Sequence, residues 1–127
     1  MLFRSSTTGD LNRYFSALLR GRLLPAHQLA EMLTTVPTGA DSPDFRYGLA
    51  MMAQKLPCGV TVYGHDGGIF GSSSAAASTL DGRHGLSSNI NGDWTESPVP
   101  PVVAEFCPAS PARGTVFSPG TARTTGF

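Results

Sequence analysis

The chain has 127 residues, with 9 basic and 9 acidic side chains and no net charge at neutral pH, a size that favours one domain around one core. Charged residues are only 14% of it, against roughly 25% in an average domain, so neither nucleic acid nor an anionic membrane is expected as a partner drawn by bulk charge. No apolar run approaches the roughly 18 residues of a membrane span, and Met1-Leu2-Phe3-Arg4-Ser5 has no apolar signal-peptide region, so neither a span nor a leader is expected.

Leu11, Tyr14, Phe15, Leu18 and Leu19 recur at the spacing of one helical face. Thr7 followed by Asp10 reads as a capping box with a short acid. Gly21 supplies the stop, and Arg20 stands in the last turn, where the helix dipole favours a cation. A second helix is predicted from Pro25, at the first helical position, through Leu29, Met32, Leu33 and Val36, until Pro37 blocks continuation. Residues 36–44 are rich in Pro, Thr, Gly and Asp and read as loop.

From Phe45 the period changes. Residues 47–52 are predicted as one buried strand, and residues 59–63 as a β-branched strand that runs into Gly64-His65-Asp66-Gly67-Gly68. Residues 72–80 are extended, Asp81-Gly82 is a hairpin turn, and a strand follows from Arg83 to about Ile90. Ala and Ser are poor strand formers, and their density here fits a sheet that helices cross closely. Residues 98–106 read as a short helix with Val102, Val103 and Phe106 on one side. Residues 108–127 read as a disordered tail, because their Pro, Gly, Thr and Ser cannot bury enough apolar surface to offset ordering.

The chemically informative stretch is residues 56–71, Leu-Pro-Cys-Gly-Val-Thr-Val-Tyr-Gly-His-Asp-Gly-Gly-Ile-Phe-Gly. A strand delivers a polar residue, a short acid and two glycines, and glycine there permits close approach of a ligand to backbone. Taken alone, it is equally a strand that ends in a turn. Three further segments carry more: Ser6-Thr7-Thr8-Gly9-Asp10-Leu11 opening a helix, Arg22-Leu23-Leu24-Pro25, and Gln28-Leu29-Ala30-Glu31-Met32. In this order they resemble the C-terminal part of the penicillin-recognising serine hydrolases, nearest to the D-alanyl-D-alanine carboxypeptidases and class C β-lactamases. The resemblance spans about residues 3–107, and residues 1–107 are taken as one partial domain followed by the tail.

The resemblance implies acyl transfer through an activated serine, with a backbone oxyanion hole. His65-Asp66-Gly67 falls where the family carries Lys-Thr-Gly or His-Thr-Gly on the strand lining the active site. His65 would then be a donor facing the substrate, and the Gly68 N–H one of two oxyanion donors. Asp66 departs from the commoner threonine: an ionised carboxylate repels a substrate carboxylate that a hydroxyl would bond, which favours ester or amide substrates. The plain alternative for His65 is an exposed histidine at a strand end; His27 and His84 read as surface residues. Asp66 is not expected to orient His65, since neighbours on a strand point to opposite faces.

The catalytic half is missing. The single lysine, Lys55, is preceded three places earlier by Met52, so these 127 residues hold no Ser-x-x-Lys. Tyr14, Tyr47 and Tyr63 are followed two places on by Ser16, Leu49 and His65, so none begins a Tyr-x-Asn, and Tyr14 is assigned to the core. Ser87-Ser88-Asn89 mimics a Ser-x-Asn box in the wrong chain order. The reading is therefore an α+β chain, a partial antiparallel sheet flanked by helices, inactive alone. Peptide, β-lactam or ester substrates and the missing N-terminal portion are its expected partners, the family being usually secreted or cell-envelope. Without the N-terminal strands the sheet would keep an edge open to pairing. A non-catalytic binding protein using that edge is the rival reading.

Cys58 and Cys107 permit one pairing and, with scattered His27, His65 and His84, lack the spacing of a zinc site. No metal or cofactor is expected. Cys58 opens the central strand and Cys107 ends a helix that should cross the sheet, so a disulfide is expected in an oxidising compartment. Two buried free thiols are the alternative.

Overall fold

The structure, a computed structural model, describes residues 5–40, 42–92 and 98–108; the predicted tail beyond Pro108 lies outside them. Thr7 opens the first helix, α1 (Thr8–Leu19), by accepting from the Asp10 amide at 3.1 Å and donating to its carboxylate at 2.9 Å. The Arg13 guanidinium, followed by the Thr7 hydroxyl, holds the Asp10 carboxyl below its ordinary range. Phe15, Leu18 and Leu19 are buried. Tyr14, expected in the core, is half exposed and meets Phe15 edge-on, because it sits at the margin of the stripe. Arg20 is the C-cap of α1 and lies just outside its last turn.

The second helix, α2 (Ala26–Leu33), takes Pro25 as its N-cap. It stops three residues before Val36, which instead joins Pro37 in a two-residue strand, β1 (Val36–Pro37). A residue before proline is pushed from helical to extended backbone, and the β-branched Thr34-Thr35-Val36 run adds to that bias. The predicted loop thus contains an edge strand, where the missing proline N–H does least harm.

The predicted strand over residues 47–52 is two strand ends and a turn. β2 (Phe45–Tyr47) and β3 (Met52–Lys55) pair antiparallel, with Tyr47 opposite Met52. Within the turn, the Gly48 amide donates to the Met51 carbonyl at 2.8 Å and the Leu49 amide to the Met32 carbonyl at 3.1 Å. Met51, fully buried, plugs into the α1 core. An apolar run reads the same whether it is a strand or a turn anchored by one buried side chain. That is why the sequence missed the break.

β4 (Thr61–Ile69), β5 (Ser72–Ser78) and β6 (Gly85–Ile90) complete one six-stranded antiparallel sheet, in the order β1-β2-β3-β4-β5-β6. Asp81-Gly82 makes the predicted turn, and Gly82 adopts φ 67° with the Ser16 carbonyl 2.8 Å from where a Cβ would stand. Arg83 belongs to this turn and not to β6. The last helix, α3 (Val99–Phe106), lies on the face opposite α1: Val62, Ala75 and Ala77 pack with Val102 and Phe106, whereas Ala76 packs with Phe15, Leu18 and Met51. No helix among the described residues is long and apolar enough to cross a membrane.

Cys58, in the β3–β4 turn, is bonded to Cys107 at the end of α3, with Cα atoms 5.7 Å apart. A closed loop of 49 residues' separation is worth about 4 kcal/mol in the chain-entropy model. Reduction, or Cys107→Ser, should lower the unfolding free energy by about 2–4 kcal/mol, read as a shift in urea melts with and without reductant. Coincident melts would show that α3 holds without the bridge.

Candidate functional site

His65, Asp66, Gly67 and Gly68 all lie on β4, beyond the point where β3 stops. β3 pairs with β4 from Lys55 opposite Thr61 to Met52 opposite Gly64, and no strand flanks that side of β4 further on among the described residues. The register decides which backbone groups face this gap. Thr79 and His84 are hydrogen-bonded across the β5–β6 end, as are Leu56 and Val60 across the β3–β4 end. Alternation from those two anchors turns the N–H and C=O groups of Tyr63, His65 and Gly67 towards β5, and those of Gly64, Asp66 and Gly68 towards β3. The amides of Asp66 and Gly68 therefore point outward from an open edge.

The first glycine makes the sheet close enough to work. A Cβ on Gly64 would collide with the Ala76 carbonyl of β5, whereas one on Gly67 would meet nothing nearer than the Ser74 hydroxyl at 3.5 Å. The two glycines thus do different jobs.

The His65 side chain is 37% exposed and its ring is held at both nitrogens. Nδ1 lies 2.5 Å from the Asp66 carbonyl oxygen, and Nε2 lies 2.9 Å from the hydroxyl of Tyr47 on β2. The Tyr47 ring stands edge-on to the imidazole, centroids 5.8 Å apart. Asp66 orients His65 through its backbone and not through the side chain that strand alternation turns away. Its main-chain carbonyl does so, while its carboxylate stays 3.9 Å from Nδ1, too far for a hydrogen bond. Tyr47 went unnoticed in the sequence because it lies 18 residues before His65, inside the run misread as a single strand; only the β2–β3–β4 register aligns it.

Behind the edge, a cleft of about 60 Å³ is lined by Phe45, Met52, Val62, His65, Asp66 and Val102. It has room for a few waters, far less than the roughly 300 Å³ a small-molecule site needs. A separate cleft of about 490 Å³, between α1 and the β5–β6 turn, is lined by Asn12, Ser16 and three arginines; it shares no residue with the first.

Other sequence candidates scatter. Ser87 donates to Asn12 of α1 at 2.7 Å, and Asn89 reaches Ser72 at 2.9 Å, so the Ser-x-Asn mimic sits on β6, two strands from His65. His84, read as a plain surface residue, is half exposed but bonded to Glu105 at 2.6 Å and packed on Phe106 at 4.7 Å, which ties α3 to the β5–β6 turn. His27 is exposed on α2.

The family model described as Beta-lactamase matches residues 4–80, more than half of the chain. The chain belongs to the beta-lactamase family. A crystal structure of a D-stereospecific amidohydrolase from Streptomyces sp. is similar at 48% sequence identity and a TM-score of 0.79, over 83% of this chain and 31% of that one. The six-stranded sheet with its three helices is thus a portion of the β-lactamase-like fold, and the chain spans about a third of its neighbour's length.

The two glycines give a discriminating test. Gly64→Ala should cost about 3 kcal/mol or more through overpacking against β5, and Gly67→Ala less than about 1 kcal/mol, both read from chemical melts. Equal losses would mean that β4 and β5 can separate at Gly64 without penalty.

Proposed function

We propose that this chain supplies the substrate-binding wall of a serine acyl-transfer hydrolase whose nucleophile and base lie on a further portion of the domain. The observation that carries the proposal is the outward-facing Gly68 amide at an open strand edge, beside a tethered His65, in a chain 48% identical to an amidohydrolase. In the complete domain a serine Oγ would attack the amide or ester carbonyl as its proton passes to a nearby base. The carbonyl oxygen would become an oxyanion held by the Gly68 N–H and by the nucleophile's own amide. Collapse would expel the amine or alcohol, which takes the proton back, and water would then release the acyl group. His65, Asp66 and Gly67 would form the wall along which the substrate backbone runs.

Asp66 bears on the substrate. Its side chain is 59% exposed on the edge, and an ionised carboxylate there disfavours a free carboxylate on the ligand. This ranks amides and esters, the amides in keeping with the D-stereospecific amidohydrolase neighbour, above D-alanyl-D-alanine peptides and β-lactams. The competing reading, a non-catalytic binding module, draws on the same edge and on Ile69 and Phe70, which are 75% and 100% exposed at the β4–β5 hairpin tip.

The 127 residues contain no Ser-x-x-Lys, so the isolated chain should form no acyl-enzyme with a fluorophosphonate probe or chromogenic β-lactam. Joined to a portion carrying Ser-x-x-Lys and Tyr-x-Asn, it should form a stoichiometric one. A serine adduct on the isolated chain, mapped by mass spectrometry, would overturn the proposal. Tight binding of an extended peptide with no acylation even after joining would favour the binding module. In the joined enzyme, Asp66→Thr should raise kcat/KM for carboxylate-bearing substrates relative to amides by about five-fold, the worth of one like-charge contact at about 4 Å screened by bulk water. An unchanged ratio would remove Asp66 from specificity.

A further inference from the structure

The geometry points to Tyr47 as a positioning residue that fixes the orientation and the tautomer of His65, with the ring proton on Nδ1. The inference follows from counting donors. The Asp66 carbonyl oxygen, 2.5 Å from Nδ1, can only accept, so Nδ1 carries a hydrogen. In the neutral ring Nε2 then carries a lone pair, and among the described residues the polar group bonded to it is the Tyr47 hydroxyl at 2.9 Å, which must donate. Both ring nitrogens are spent inside the chain. The neutral imidazole therefore presents no free N–H to a ligand on the edge.

The placement has a structural cause. Asp66 is one of the edge residues whose carbonyl turns to the side that β3 has vacated, and an unpaired carbonyl there seeks a donor. His65 is its immediate neighbour and supplies Nδ1–H. The tether would leave Nε2 unpartnered, but Tyr47 lies opposite Met52, and Met52 opposite Gly64, the residue before His65, and the Tyr47 hydroxyl reaches Nε2. Tyr47 is not among the residues that line the cleft, whereas His65 is. It acts through His65.

This inference rests on the proposed function for its meaning, since it makes the backbone amides of Asp66 and Gly68, and not His65, the donors a carbonyl meets on the wall. Its test does not depend on that proposal. In uniformly ¹⁵N-labelled chain, long-range ¹H–¹⁵N correlation spectra above the histidine titration report which imidazole nitrogen is protonated. The wild-type chain should show protonated Nδ1 and bare Nε2 at His65. In Tyr47→Phe the fraction protonated at Nε2 should rise about five-fold, the bias one ordinary hydrogen bond exerts, while His84 stays unchanged as an internal reference. A wild-type ring protonated at Nε2 overturns the inference without need of any variant. A wild-type ring protonated at Nδ1 whose tautomer ratio is unmoved in Tyr47→Phe also overturns it, leaving the Asp66 carbonyl as the sole determinant. Failure of the joined enzyme to acylate would sink the proposed function and leave these spectra as they are.

Discussion

The structure depends on a strand that must bury both of its faces. β5 turns Ala75 and Ala77 towards α3 and Ala76 towards α1, and all three are buried. Only small side chains let two helices pack on opposite sides of one strand at close range, so the Ser-Ala run of residues 72–78, weak by strand propensity, is right for its position. Its stability comes from its two neighbours in the sheet and from the helices. It does not come from intrinsic preference. The sandwich also explains the long-range polar ties: Ser16 to the Gly82 carbonyl and Ser87 to Asn12 lock α1 to the sheet, while His84–Glu105 and the Cys58–Cys107 bridge lock α3.

The same register that packs the sheet leaves one stretch of β4 open. β3 is four residues long and β4 nine, so the sheet runs out of a partner strand midway along β4. An unpaired edge normally invites aggregation. Here the exposed part carries an aspartate, two glycines and a tethered histidine, so the edge offers backbone donors with little apolar side chain behind them until Ile69 and Phe70. The Asp66 carbonyl, which edge geometry would leave bare, is satisfied by the neighbouring imidazole. The Asp66 and Gly68 amides are left outward. An edge of this kind has the backbone groups to pair with an extended main chain, and its position is set by sheet topology.

Much was legible from residue order. Local chemistry specified the Thr7 cap, the α1 stripe, the Asp81-Gly82 turn and the β-branched start of β4, because each depends on neighbours within four residues. The family resemblance was legible in the ordered segments around Asp10, Gln28 and His65, and with it the absence of Ser-x-x-Lys from this chain. The two cysteines left a single pairing, and the helix and strand positions already argued for it.

Tertiary structure alone decided the rest. Whether residues 47–52 were a strand or a turn hung on Met51 finding a core pocket beneath α1, which no local pattern encodes. Val36 left its helical stripe because pairing with Tyr47 and the following proline outweighed the period. Tyr14 left the core because it sits at the margin of the stripe, where it is half exposed against Phe15. The Tyr47–His65 contact needed two successive strand registers, Tyr47 opposite Met52 and Met52 opposite Gly64. Local propensity reaches only a few residues along the chain, and hydrogen-bond partners across a sheet are chosen by register, which exists only once the strands have met.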